Sequence, residues 1–186
     1  MAKNPHRRRA LSATAASSIV LGGYVAFAPP SGAIIPPGGG CTVIASTASA
    51  NVNGTPGNDV ICVLGNGSTA RSINAGNGDD TIWATPGPDI INGGSGDDVV
   101  HGPGGSDTVT GGAGDDVVEP DAGDDFITGG AGRDSLGGGL GKDLIFGGNG
   151  DDTIDGGASD DNLFGENDED RVLGGDGKDT VEGGKG

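Results

Sequence analysis

Large side chains are scarce in this 186-residue chain. Aromatic residues make up 3% of it, as one tryptophan, one tyrosine and four phenylalanines, and there is a single methionine. A chain so poor in bulky apolar groups cannot build a thick hydrophobic core, so it either stays unfolded or is held together by something else. Basic residues are few as well. Of the ten, Lys3, Arg7, Arg8 and Arg9 lie at the N-terminus, and the rest face 27 acidic residues, all from Asp59 onward. That balance repels nucleic acid and anionic membrane and attracts cations. Catalytic signatures are missing: there is no Gly-x-Ser-x-Gly and no phosphate-binding loop. His101 is the one histidine beyond the N-terminal segment and reads as a solvent-facing strand residue, not a general base. No enzymatic activity is expected.

Cysteine occurs twice, at Cys41 and Cys62, with no Cys-x-x-Cys and no Cys/His cluster, which argues against zinc. In an oxidising compartment the pair is able to close a disulfide contributing ~2–4 kcal/mol. The alternative is two free thiols, because the sequence gives no distance between them. The first 33 residues have the layout of an export signal: the basic stretch precedes a mildly apolar run from Ala10 to Ala28, and Ser31-Gly32-Ala33 offers small residues for cleavage. Ala26-Phe27-Ala28 is a competing site. A membrane anchor is the other reading, but the run is rich in Ala, Ser and Gly and is broken by Pro29-Pro30. The expected organisation is a signal peptide over 1–33, an N-terminal linker or cap over 34–53, and a repeat domain over 54–186.

What the chain has in abundance is glycine, at 42 positions, and a period of nine. From Ala75 to Glu182 nonapeptides follow one another without insertion or deletion, as in Gly93-Gly94-Ser95-Gly96-Asp97-Asp98-Val99-Val100-His101. Two looser copies, Gly54 to Cys62 and Asn66 to Asn74, precede them and are separated by Val63-Leu64-Gly65. The sixth position holds Asp59, Asp80, Asp89, Asp98, Asp107, Asp116, Asp125, Asp134, Asp143, Asp152, Asp161, Asp170 and Asp179, broken only by Arg71. The eighth position is aliphatic in every copy, from Ile61 to Val181. At 32% apolar composition, such an unbroken column arises by chance with odds on the order of one in a million.

This pattern resembles the RTX, or haemolysin-type, calcium-binding repeat, G-G-x-G-x-D-x-U-x. The resemblance covers nearly all of residues 54 to 186. Departures fall at Ser159 and Asp168 in the fourth position, at Pro120 in the first, and at Pro103 and Glu166 in the second. The resemblance implies an all-β fold: a parallel β-roll, or β-helix solenoid, in which residues one to six of each copy turn, residues seven to nine form a strand, and two copies complete a circuit. It also implies Ca²⁺ as the cofactor. The aspartates of the sixth position supply hard oxygen ligands, and the glycines, Gly76, Gly78, Gly94, Gly96, Gly112, Gly114, Gly130, Gly132, Gly148 and Gly150 foremost, permit the positive-φ turns that aim carbonyl oxygens at the ion.

Metal is expected to be obligatory. Ordering nine residues costs roughly 9–18 kcal/mol of backbone entropy, while burying one aliphatic side chain returns ~1.5–3 kcal/mol. Stacked copies also bring aspartates ~4.8 Å apart. The expected function is therefore calcium binding by a secreted repeat protein, extracellular or at the cell surface, that folds on Ca²⁺. Calcium ions are the expected partner, with no nucleic acid and no membrane insertion after signal cleavage. The alternatives are a calcium-rigidified structural or adhesive module, with a protein or polysaccharide partner, and the repeat portion of a larger secreted toxin or hydrolase.

Overall fold

The computed structural model describes residues 19–21, 24–26, 40–45, 51–64, 70–102 and 104–185. Strands β1 (Ile19–Leu21) and β2 (Tyr24–Ala26) pair antiparallel. The rest of the expected signal segment, including both candidate cleavage sites apart from Ala26, lies outside the described residues.

The remaining strands build a solenoid. In chain order they begin with β3 (Val43–Ala45), β4 (Asn51–Asn53), β5 (Val60–Val63), β6 (Arg71–Asn77), β7 (Thr81–Trp83), β8 (Asp89–Ser95) and β9 (Val99–His101). They continue with β10 (Thr108–Ala113), β11 (Val117–Glu119), β12 (Phe126–Ala131), β13 (Ser135–Gly137) and β14 (Leu144–Asn149). The last are β15 (Thr153–Asp155), β16 (Asn162–Asn167), β17 (Arg171–Leu173) and β18 (Thr180–Glu182). Odd-numbered strands from β3 form one eight-stranded sheet and even-numbered strands from β4 the other. Neighbours within each sheet are parallel, with Val109 opposite Ile127 and Ile127 opposite Ile145. The chain thus passes from one sheet to the other and back once every two nonapeptides, as the repeat implies.

The period explains the core. With strand side chains alternating between faces, the eighth residue of each copy points inward while the seventh and ninth point out. Ile82, Val100, Val118 and Ile154 of one sheet meet Ile91, Val109, Ile127, Ile145 and Leu163 of the other, all essentially inaccessible. The seal loosens at the two ends, where Val43 and Val172 are partly buried and Val181 is 47% exposed. The core is one side chain deep from each sheet, so each member matters. Ile127→Ala is expected to cost ~2–5 kcal/mol in urea unfolding at saturating calcium, since two flat sheets cannot collapse into the gap.

Two features depart from the simple periodic picture. In the even-numbered sheet, β6 to β16 run past the ninth position into the first three residues of the next copy, as in β8, whereas most odd-numbered strands stop after three residues. The solenoid also begins ahead of residue 54: Val43 pairs with Ile61, and Val52 pairs with Ile73 and is buried in the core. Neither segment carries the sixth-position aspartate that marks a repeat, Cys41 and Ala50 standing in its place. Of the insertion, Val63 extends β5 and Leu64 follows it, and Ile61 still pairs with Ile82. Val63 and Leu64 are buried. Cys41 and Cys62 form a disulfide with their Cα atoms 5.8 Å apart, fastening the residue before β3 and its neighbour to β5.

Candidate metal centres

The site is the six-residue turn, repeated on both flanks. Turns leading from the even to the odd sheet carry Asp59, Asp80, Asp98, Asp116, Asp134, Asp152 and Asp170. Turns leading back carry Arg71, Asp89, Asp107, Asp125, Asp143, Asp161 and Asp179. From Asp80 to Asp161 these carboxylates are buried.

Each turn lends one carboxylate oxygen to its neighbour. The backbone N–H of Asp80 donates to Asp98 Oδ1 at 2.8 Å, Asp98 N–H to Asp116 Oδ1 at 2.9 Å, and Asp116 N–H to Asp134 Oδ1 at 2.9 Å. On the other flank Asp89 N–H reaches Asp107 Oδ1 at 2.8 Å, and Asp107 N–H reaches Asp125 Oδ1 at 2.7 Å. The second oxygen has no such partner. The Oδ2 atoms of Asp80, Asp98, Asp107, Asp116, Asp125, Asp134, Asp143, Asp152, Asp161 and Asp170 are buried and accept no hydrogen bond. An unsatisfied buried carboxylate oxygen is costly, and a column of them calls for either protonation or a cationic partner.

The glycines complete the cradle. A Cβ built on Gly93 would meet Asp98 Oδ2 at 2.5 Å and the Gly111 carbonyl oxygen of the next rung at 2.6 Å. Gly138 and Gly156 are placed in the same way against Asp143 and Asp161 and against the carbonyls of Gly156 and Gly174. A carboxylate oxygen and a carbonyl oxygen therefore converge on a space that any side chain would fill. Gly94, Gly96, Gly112, Gly114, Gly130, Gly132, Gly148 and Gly150 have φ between 116° and 138°, and Gly76 and Gly78 lie at 118° and 106°. This is glycine's region, and at most of these positions a Cβ would strike the carbonyl of the rung before. The departures keep the same path: Asp121, Ser159, Glu166 and Asp168 also adopt positive φ, between 65° and 98°.

Burial, before any neighbouring charge, drives the electrostatics. It lifts the carboxyls of Asp98, Asp125, Asp143 and Asp152 to about 6, and those of Asp107 and Asp116 to about 7. The hydrogen bond from the neighbouring rung pulls down, and flanking carboxylates, such as Asp134 and Asp98 beside Asp116, push up further. Asp80, Asp134 and Asp161 are raised for the same leading reason.

Basic side chains do not relieve this. Arg133 pairs with Asp115 at 2.6 Å and Lys142 with Asp160 at 3.1 Å, both on the exposed fifth-position residues. Those residues form a second ladder running the opposite way, with Asp97 N–H donating to Asp79 Oδ1 and Asp115 N–H to Asp97 Oδ1. Sequence reading missed this ladder, although the recurrent Asp-Asp pairs mark it. Among the described residues no three His, Cys, Asp or Glu side chains converge on one point. A ligand set here must mix carboxylate with carbonyl oxygens, and such hard, flexible donors suit Ca²⁺.

The fold and its turns define a class: parallel β-rolls whose glycine–aspartate turns bind calcium. The RTX calcium-binding nonapeptide repeat matches the chain in four copies, over residues 74–109, 104–136, 137–172 and 155–186. The chain belongs to this family, and its repeats bind Ca²⁺. Comparison with curated proteins and with solved structures finds no match.

Proposed function

We propose that the protein is an exported calcium-binding module that is largely unfolded at low Ca²⁺ and assembles its roll on reaching calcium outside the cell. The observation that carries this reading is the set of buried, unpartnered Oδ2 atoms of Asp80 and of every sixth-position aspartate from Asp98 to Asp170. The ligands are those oxygens together with turn carbonyls, and Asp179, partly exposed on the final rung, completes its column. A site of mixed oxygens on flexible turns suits extracellular affinities, ~10⁻⁴–10⁻³ M, so that folding is coupled to export. The basic and apolar N-terminal segment is the export signal, removed before the roll forms. No helix among the described residues is long and apolar enough to cross a membrane. The acidic surface disfavours nucleic acid. On this reading the role of the module is the calcium-dependent structure itself and not catalysis.

A calcium titration followed by far-ultraviolet circular dichroism tests the reading. In excess chelator at pH 7.5 the β signal is expected to be weak, rising cooperatively with Ca²⁺ in the sub-millimolar to millimolar range. Mg²⁺ should not substitute, because its rigid octahedral demand and tight hydration suit these turns poorly. A full β signal in chelator overturns the proposal.

A further inference from the structure

Two sixth-position aspartates differ from the rest. Asp59 Oδ2 accepts the Thr55 N–H at 2.6 Å, and its Oδ1 accepts the Thr42 hydroxyl at 3.0 Å. Asp89 Oδ2 accepts both the N–H and the hydroxyl of Thr85 at 2.9 Å, and its Oδ1 accepts the Arg71 N–H at 3.0 Å. Every oxygen of these two carboxylates is thus held by the protein. The turns share a sequence, Thr55-Pro56-Gly57-Asn58-Asp59 and Thr85-Pro86-Gly87-Pro88-Asp89. In both, threonine stands where the other copies have mainly glycine. Thr55 and Thr85 do not share the positive φ of those glycines, and each turns its N–H onto the aspartate of its own copy. Pro103 occupies the same position but has no N–H to give, and Asp107 Oδ2 is left without a partner.

Both turns lie in the N-terminal rungs. There Arg71 is buried in place of an aspartate, and the Cys41–Cys62 disulfide ties β5 to the segment before it. Between residues 41 and 95 only Asp80 leaves an Oδ2 open, whereas in every later turn through Asp170 the aspartate does. Burial raises the Asp59 carboxyl, yet the bonds from Thr55 and Thr42 outweigh it and hold the group below its ordinary value, the reverse of Asp98 or Asp116.

We infer that the Thr-Pro-Gly-x-Asp turns at Asp59 and Asp89 are metal-free staples, and that strands β3 to β8 form a calcium-independent template on which calcium folds the remaining rungs. Threonine at the second position decides whether a turn is closed by the protein or by the ion. A preformed edge matters because parallel strands pair only with a partner already in register, and the first circuit is the costly one to close. The inference rests on the calcium-folding reading above.

Hydrogen exchange of the oxidised full chain separates the two. In chelator, amides of residues 51–63 and 71–95 should exchange at least ten-fold more slowly than those of 99–173, and calcium should slow the latter. Uniformly fast exchange in chelator overturns the template and leaves calcium folding intact. Uniform protection in chelator overturns both. Thr85→Gly should abolish chelator-stable protection over 84–95 without reducing protection of 99–173 in calcium; unchanged protection overturns the role given to threonine. Asp89→Asn should move the calcium midpoint less than two-fold, against five-fold or more for Asp98→Asn. Equal shifts overturn the assignment of Asp89 as metal-free.

Discussion

Stripped of calcium, the chain is expected to gain β-structure when the pH is lowered from 8 to 5, the reverse of ordinary acid unfolding. The sign follows from the direction of the shifts. The buried carboxyls of Asp98, Asp107, Asp116, Asp125, Asp143 and Asp152 lie at about 6 to 7 in the folded chain, against about 3.9 when unfolded. The folded state therefore binds protons more tightly, so their contribution is fully present below the unfolded value and is lost as pH rises through the folded one. Each shift disfavours the ionised folded state, and the penalty recurs from rung to rung along both flanks. Asp59, Asp115 and Asp160 are shifted the other way and oppose the trend only weakly, being few and, for the last two, exposed. Protons and calcium compete for the same oxygens, so the calcium midpoint should also rise as pH falls from 7.5 to 5.5. Circular dichroism in chelator, with sedimentation to exclude aggregation near the pI of about 4.1, reads the outcome. A metal-free chain that loses structure on acidification would show that the buried columns are not what opposes folding.

Gly132→Ala is expected to be among the most damaging single-methyl changes. Gly132 sits at φ 138°, a region L-residues rarely enter, and its Cβ would fall against the Gly114 carbonyl of the rung before. Backbone strain of ~1–3 kcal/mol adds to a clash with backbone that cannot retreat, since Gly132 N–H is bonded to the Asn149 carbonyl at 2.9 Å. Calcium-induced folding should weaken by ten-fold or more, with the loss centred on the rungs around Asp134. Ser159→Gly is the control: Ser159 occupies the same turn position at φ 98° in another copy, and relieving that conformation should stabilise the roll by up to ~1 kcal/mol. Paired calcium titrations measure both. Comparable midpoints for Gly132→Ala and the unaltered chain would mean the turns can repack around a side chain.

The reading of this chain divides by the range of the interactions involved. The nine-residue period marked the repeat, the aliphatic column from Ile61 to Val181 and the recurrent aspartates, and the family it resembles implied the two-sheet roll and the positive-φ glycines. These are legible because each is set by a short stretch of chain repeated in phase. Only the tertiary structure decided what each carboxylate oxygen touches. The donor to Asp98 Oδ1 is Asp80, two copies away, whereas the donor to Asp89 Oδ2 is Thr85 within the same turn, and the sixth-position letter is Asp in both. It also placed Val43 and Val52 in the first circuit, where no sixth-position aspartate signals a repeat, and brought Cys41 within bonding distance of Cys62. A periodic sequence specifies the path of the backbone; which polar atoms are left for an ion depends on where neighbouring rungs aim their N–H groups, which becomes defined once the rungs are stacked.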